Sequence, residues 1–277
     1  MAVVAITADR TAGITVGLDQ LPHALGLLRG RLLALAEGLD GEQWVGPSRC
    51  HRWTAHEVLR HVRDACRLHA SGLRRDPYWP FDKPFDSRAT PDEWLSLSEG
   101  ETPEQTLSDL RRWSSDEASA MRERLGSPDQ DIVGGPYGPI PWTLLSMHVL
   151  WDGWLHDRDI AQVTGGGMAS TPIEDAAVAT YALFIASMAA AFQDQRVDVT
   201  VALSGGTGRY VAAVGPGHVE LRAVDAPATA DLEGSLGAVV DSLAGRGPLL
   251  AGVLAGDARK LEPLTSLRAM LVPVGGS

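Results

Sequence analysis

Apolar residues recur at three- and four-residue spacing over long windows in the first two thirds of the chain, which is the period of helices buried on one face. The first helix is expected from Gly17 to Gly38, with Leu21, Leu25, Leu28, Leu32 and Leu35 on one stripe and Gly38 as its stop. A second starts at Thr54, where Glu57 three residues on completes a capping box, and runs to about Gly72. A third runs from Thr102-Pro103 through Leu107, Leu110, Trp113 and Met121 to Gly126. The fourth begins at Pro141, carries Leu144, Leu145, Met147, Leu150 and Trp154, and ends before Gly165-Gly166-Gly167. Four long amphipathic helices with polar connections predict a helix bundle.

Past the triple glycine the pattern changes. A fifth helix is expected from about Ile173 to Phe192, and then Val197–Leu203, Tyr210–Val214 and Val219–Val224 read as strands separated by Gly and Pro turns. A helix at about Leu232–Leu243 and an apolar segment from Leu249 to Leu267 complete a small α+β unit. The seam falls at Gly165–Ser170, so the expected domains are residues 1–168 and 169–277. The connection from Arg74 to Glu101 is long and interleaves prolines with Tyr78, Trp79, Phe81, Phe85 and Trp94, the composition of a lid or substrate wall.

Composition narrows the function classes. With 44% hydrophobic and 21% charged residues the chain is globular in type. Its net charge of -11, with no cluster of basic residues, argues against nucleic acid and anionic membrane surfaces as partners. No run reaches the length of a membrane span; the nearest, Ala176–Phe192, follows Thr171-Pro172-Ile173-Glu174-Asp175, which reads as the capped start of a buried helix. Cys50 and Cys66 are too few for a disulfide framework and lie in no C-x-x-C spacing, and MAVVAITADRTAG lacks the basic region of a secretory signal, so a reducing, cytoplasmic location is expected.

The candidate chemistry sits on the fourth helix. His148, Asp152 and His156 are four residues apart, so all three project from one face of an otherwise very apolar helix that also carries Trp142, Trp151 and Trp154. His61 lies on the apolar side of the second helix among Val58, Leu59 and Val62. Bundle metal sites are built from inward side chains on facing helices, and His61 with Asp152 and His156 makes a set of two histidines and one carboxylate that leaves a coordination position open. The competing readings are a hydrogen-bonded core histidine for His61 and a buried charge pair for Asp152 and His156. His148 stays outside the expected ligand set, and His51, His56 and His69 read as solvated or capping.

Two stretches also resemble a known family. Trp44–His61, W-V-G-P-S-R-C-H-R-W-T-A-H-E-V-L-R-H, is similar to the opening motif of the mycothiol-dependent maleylpyruvate isomerase family of the DinB-like superfamily. G-P-I-P-W-T-L-L-S-M-H-V-L-W-D-G-W-L-H-D-R-D-I, from Gly138 to Ile160, resembles its second motif. The resemblance implies a DinB-like four-helix bundle followed by a small α+β domain of sterol-carrier-like type. It implies a divalent metal, assigned as zinc, on His61, Asp152 and His156, with mycothiol as cosubstrate and Asp159 supporting His156. Gly234-Ser235-Leu236 and Ala244-Gly245-Arg246-Gly247 look like segments of the family's second domain, which gives Arg246 a role in binding an anionic substrate or the thiol. Arg88, which no motif covers, is a candidate partner for a substrate carboxylate. One departure is Asp152, where the eponymous isomerase has Glu.

Three functions follow as expectations. The first is a metal-dependent isomerase or S-transferase that adds a low-molecular-weight thiol to a small electrophile. The second is a metal enzyme of the same frame that works without thiol, by hydrolysis, cyclisation or rearrangement. The third is a binding protein for an apolar ligand with no catalysis at all.

Overall fold

The computed structural model describes residues 18–266 apart from 77, 87–88, 129–130, 137, 167–168, 194, 205–207, 217 and 225–228. The chain divides into two compact units, one from Gly17 to Glu174 and one that begins at Asp175. The first is helical and the second holds a mixed five-stranded sheet with helices, an α plus α+β architecture.

Four long helices make the first unit: α1 (Leu21–Glu37), α3 (Ala55–Leu73), α5 (Pro103–Glu123) and α6 (Trp142–Val163), with a short α2 (Gly41–Val45) and α4 (Thr90–Leu97) in the connections. α1 and α3 each pack against both α5 and α6, which closes the four into a bundle with α1 diagonal to α3. The stripe read on the first helix is its core face, since Leu21, Leu25, Leu28 and Leu32 are fully buried.

Local signals start the helices where they should start. Thr54 Oγ1 accepts from the Glu57 backbone N–H while Glu57 reaches back to the Thr54 N–H at 2.7 Å, and Thr102 with Gln105 repeats the box at α5. Pro103 occupies the first turn of α5, where no backbone N–H is missed. The third helix ends at Glu123, three residues short of the glycine expected to stop it.

Some elements have no counterpart in the sequence pattern. α4 lies inside the Arg74–Glu101 connection, and a two-stranded hairpin, β1 (Ile132–Gly135) with β2 (Gly138–Pro141), leads into α6. Both are short, so neither builds a periodic signal.

In the second unit α7 (Pro172–Phe192), which crosses the boundary between the units, precedes β3 (Val197–Ser204), β4 (Gly208–Gly215), β5 (His218–Val224), β6 (Leu232–Ser235), α8 (Leu236–Leu243), β7 (Leu254–Gly256) and α9 (Ala258–Leu261). The sheet order is β5-β4-β3-β6-β7, antiparallel except for the parallel β3–β6 pair. Val197, Val199, Val201 and Leu203 alternate into its core.

The helix expected over Leu232–Leu243 is corrected at its start. Leu232–Ser235 pairs with Val201–Ser204 as a strand, and Ser235 then caps α8 by accepting from the Ala238 N–H. Gly234 fits this register because a Cβ there would lie 2.6 Å from the Val253 carbonyl oxygen. Ala177, Val178, Ala179, Ala182 and Leu183 of α7 are buried, and among the described residues no helix is long and apolar enough to cross a membrane.

Candidate metal centre

α3 and α6 pack side by side, and the site forms on their facing stripes. His61 is in the second turn of α3; Asp152 and His156 are one turn apart on α6. One ligand atom from each of the three comes within 4.8 Å of the others. The His61 and His156 rings meet edge to face with centroids 4.9 Å apart, and His156 Nε2 lies 3.6 Å from Asp152 Oδ1.

The other nitrogen of His156 is already committed. Nδ1 lies 3.0 Å from Oδ2 of Asp159, a fully buried carboxylate one turn further along α6. With the proton on Nδ1, donated to that carboxylate, Nε2 keeps its lone pair aimed at Asp152 and His61. Asp152 Oδ2 is buried and has no hydrogen-bond partner. A buried carboxylate oxygen left in that state is costly unless a cation supplies what is missing.

Two imidazoles and a carboxylate are ligands that zinc accepts, and bonds of ~2.1 Å place tetrahedral ligand atoms ~3.4 Å apart, so a set within 4.8 Å closes by small side-chain movements. His61, Asp152 and His156 could therefore hold a metal, with a fourth position left for another molecule.

Without an ion the site answers its own charge. Burial disfavours charge on both Asp152 and His156, but their attraction prevails: the carboxyl is held well below the usual carboxylate range and the imidazole above its ordinary value. Metal binding must displace that proton from His156, so affinity rises with pH.

A roof covers the site. Trp53, buried in the turn before α3, lies 4.9 Å from the His61 ring and 6.5 Å from that of His156, nearly parallel to the latter. Its indole N–H donates to Asp92 Oδ1 of α4 at 2.9 Å, and Asp92 also pairs with Arg52. Nothing in the sequence pairs Trp53 with Asp92, which are 39 residues apart.

Of the remaining histidines, His69 departs most from expectation. His69, read as solvated or capping, is 2% exposed; its Nδ1 lies 2.9 Å from Glu117 Oε1, and Arg29 closes on the same carboxylate with Nε 2.9 Å from Oε2. A charged partner on α5 made burial of this ring affordable, and only packing brings it there. His148 is buried edge-on to His69 at 5.3 Å and stacked over Trp151 at 6.1 Å, outside the three-ligand group. Burial, and then the neighbouring His69, push its pKa down to about 4. His56 is half-buried against Trp44, with Nε2 2.9 Å from Thr106 Oγ1, and His51 is exposed.

Arg246 belongs to the second unit, half-buried in the turn after α8, where its backbone N–H donates to the Asp241 carbonyl at 2.7 Å. Arg88 lies outside the described residues.

Residues 25–161 match the family model described as the mycothiol maleylpyruvate isomerase N-terminal domain. No curated protein matches the chain. Two crystal structures are similar in fold: mycothiol-dependent maleylpyruvate isomerase, with a TM-score of 0.59, and a variant of it with one histidine replaced by alanine, with a TM-score of 0.56. In each case identity is 16%, and the match covers 88% of this chain and 95% of the other.

Proposed function

We propose that this chain, whose residues 25–161 belong to the mycothiol maleylpyruvate isomerase N-terminal domain family, is a metal-dependent enzyme that adds a low-molecular-weight thiol to a small electrophile. The reading rests above all on three potential ligand atoms from two helices within 4.8 Å, with an unpartnered carboxylate oxygen among them. A divalent ion, which the family resemblance assigns as zinc, would supply a Lewis-acid position at which a thiol could lose its proton at neutral pH. Mycothiol is the thiol the family description suggests.

The chain's own groups divide the remaining work. His61, Asp152 and His156 would hold the ion, and Asp159 fixes the tautomer and orientation of His156 through the 3.0 Å contact at Nδ1. Trp53 packs against the His61 ring and would shield that side of the site from water. Arg246 is the group the family resemblance offers for an anionic part of the substrate or thiol, and Arg88 is a separate candidate for a substrate carboxylate. Sulfur attack forms a C–S bond to the electrophilic carbon and pushes an electron pair onto the conjugated acceptor. If that bond breaks again after rotation about the former double bond, the thiol returns and the product is an isomer; if the acceptor is protonated instead, the product is a thioether.

Metal analysis of the purified protein tests the reading. One equivalent of zinc is expected in the wild type, none in His156→Ala, and retained zinc in Asp152→Glu with an altered rate. Incubation with mycothiol and a panel of conjugated acids and enones should then give a thioether mass or an isomer only when the thiol is present. A folded His61→Ala protein that keeps full turnover without metal sinks the site. Zinc with thiol-independent turnover replaces thiol addition by the hydrolytic or rearrangement chemistry of the same centre.

A further inference from the structure

Two turns along α3 from His61 the bundle surface opens into a cleft of about 380 Å³, within the size range of small-molecule sites. Its wall is aromatic: Tyr78, Trp79 and Phe85, from the connection that precedes α4. Its opposite side is nearly bare backbone. α3 and the β1–β2 hairpin touch at Gly72 and Gly134 so closely that a Cβ on Gly72 would sit 2.1 Å from the Gly134 carbonyl oxygen, and a Cβ on Gly135 would fall 2.7 Å from Ile140 Cδ1.

The rings are held by contacts within the chain. The Trp79 indole N–H donates to the Lys83 carbonyl at 2.7 Å, and Trp94 of α4 stands edge-on to Trp79 at 5.7 Å. Tyr78, Trp79, Phe85 and Leu68 nevertheless remain half-exposed around the concavity. Large apolar side chains kept in water around a fixed hollow mark a surface that awaits an apolar occupant.

Charge says what kind. Among the described residues none that lines the cleft is charged. Of the cations nearby, Arg74 pairs with Asp116 and Glu123, Arg75 with Asp131 and Lys83 with Glu93, while Arg67 lies over the face of the Tyr78 ring and is not part of the lining.

Position connects the cleft to the metal centre. Leu68 follows His61 by seven residues, two turns on the same face of α3 and about 10 Å along its axis. α4 serves both places, since Asp92 anchors Trp53 over His61 while Trp94 backs the cleft wall.

We propose that this cleft is a subsite for an uncharged, flat, apolar portion of the substrate, an aromatic ring or planar conjugated chain, whose reacting end extends ~10 Å along α3 to the metal centre. The substrate link rests on the metal reading given above; the cleft's ligand class does not. Binding energy collected there orients the reacting carbon without taking part in the reaction.

The test uses the full-length, zinc-loaded protein and the neutral fluorophore N-phenyl-naphthylamine. Saturable binding of one equivalent is expected. Leu68→Trp, which fills the hollow, and Trp79→Ala, which removes its wall, should each weaken binding tenfold or more with zinc content and melting temperature close to wild type. The anionic fluorophore anilinonaphthalene sulfonate should bind at least tenfold more weakly than the neutral one. Absence of saturable binding by the wild type, wild-type affinity in both folded variants, or equal affinity for the two fluorophores overturns the proposal. Loss of probe binding in folded, zinc-replete Leu68→Trp supports it. The His61→Ala protein separates the two readings: wild-type zinc content there sinks the metal centre, while wild-type probe binding there supports the cleft.

Discussion

Among the polar groups these four helices bury, two clusters differ in whether the oxygens of their carboxylate are both engaged. In one, Arg29 of α1, His69 of α3 and Glu117 of α5 meet, and both oxygens of Glu117 are engaged: Oε2 by Arg29 Nε, Oε1 by Arg29 Nη2 and His69 Nδ1. Burial works against charge on Glu117, but Arg29 and His69 hold its pKa down to about 2. In the other, His61, Asp152 and His156 converge two turns away along α3, and Asp152 Oδ2 has no hydrogen-bond partner. The first cluster supplies its own cation and reads as structure. In the second, Asp152 Oδ2 stays without a partner beside two imidazoles, and the cluster reads as a candidate site. Gly153 lets the two come close, because a Cβ there would meet Arg29 Nη1 at 2.7 Å and Leu28 Cδ2 at 2.6 Å.

The comparison breaks most visibly at Glu117. Glu117→Gln leaves Arg29 buried without its counter-charge and should cost about 3–5 kcal/mol in urea unfolding, while the protein that remains folded keeps its zinc. Loss of zinc at unchanged stability would reverse the assignment of the two clusters.

A smaller effect is expected at His148, whose folded pKa of about 4 lies below its ordinary value of 6.5. Between those pH values the unfolded chain takes up a proton that the folded chain refuses, so the contribution of this group to stability falls as pH drops from 6.5 toward 4. In metal-free protein His148→Phe should flatten that decline by up to about 3 kcal/mol, read from unfolding curves at the two ends of the window. Identical slopes for the two proteins would place the ring in a wetter environment than its burial indicates.

The smallest change sharpens the metal cluster. Asp159→Asn should weaken zinc binding by roughly 10–100-fold in a chelator competition while the melting temperature moves little. Unchanged affinity would leave Asp159 a packing residue.

Much of this was legible along the chain. Helix geometry places Asp152 one turn before His156, and a 3.6-residue period places His61 on the inward side of the second helix. The capping boxes at Thr54 and Thr102 stand within four residues of sequence and form as written. Short elements were not legible: α4 and the β1–β2 hairpin are eight residues and four-residue strands, too brief for periodicity, and β6 was absorbed into the helix that follows it. His69 was misplaced because its partner Glu117 is 48 residues away on another helix.

By itself the sequence determined which residue types line up on each helix, because spacing along an α-helix is fixed by backbone hydrogen bonds and needs no partner. Only the tertiary structure decided what each of those residues meets. Asp152, Asp157 and Asp159 lie within eight residues and are chemically alike, yet Asp157 turns to Arg31 of α1 at 2.6 Å, Asp159 to His156 of its own helix, and Asp152 to the space shared with His61. The contact of Asp159 is made within α6 and follows from helix spacing, whereas the fates of Asp152 and Asp157 depend on which helix stands opposite, which is set by packing of the whole bundle.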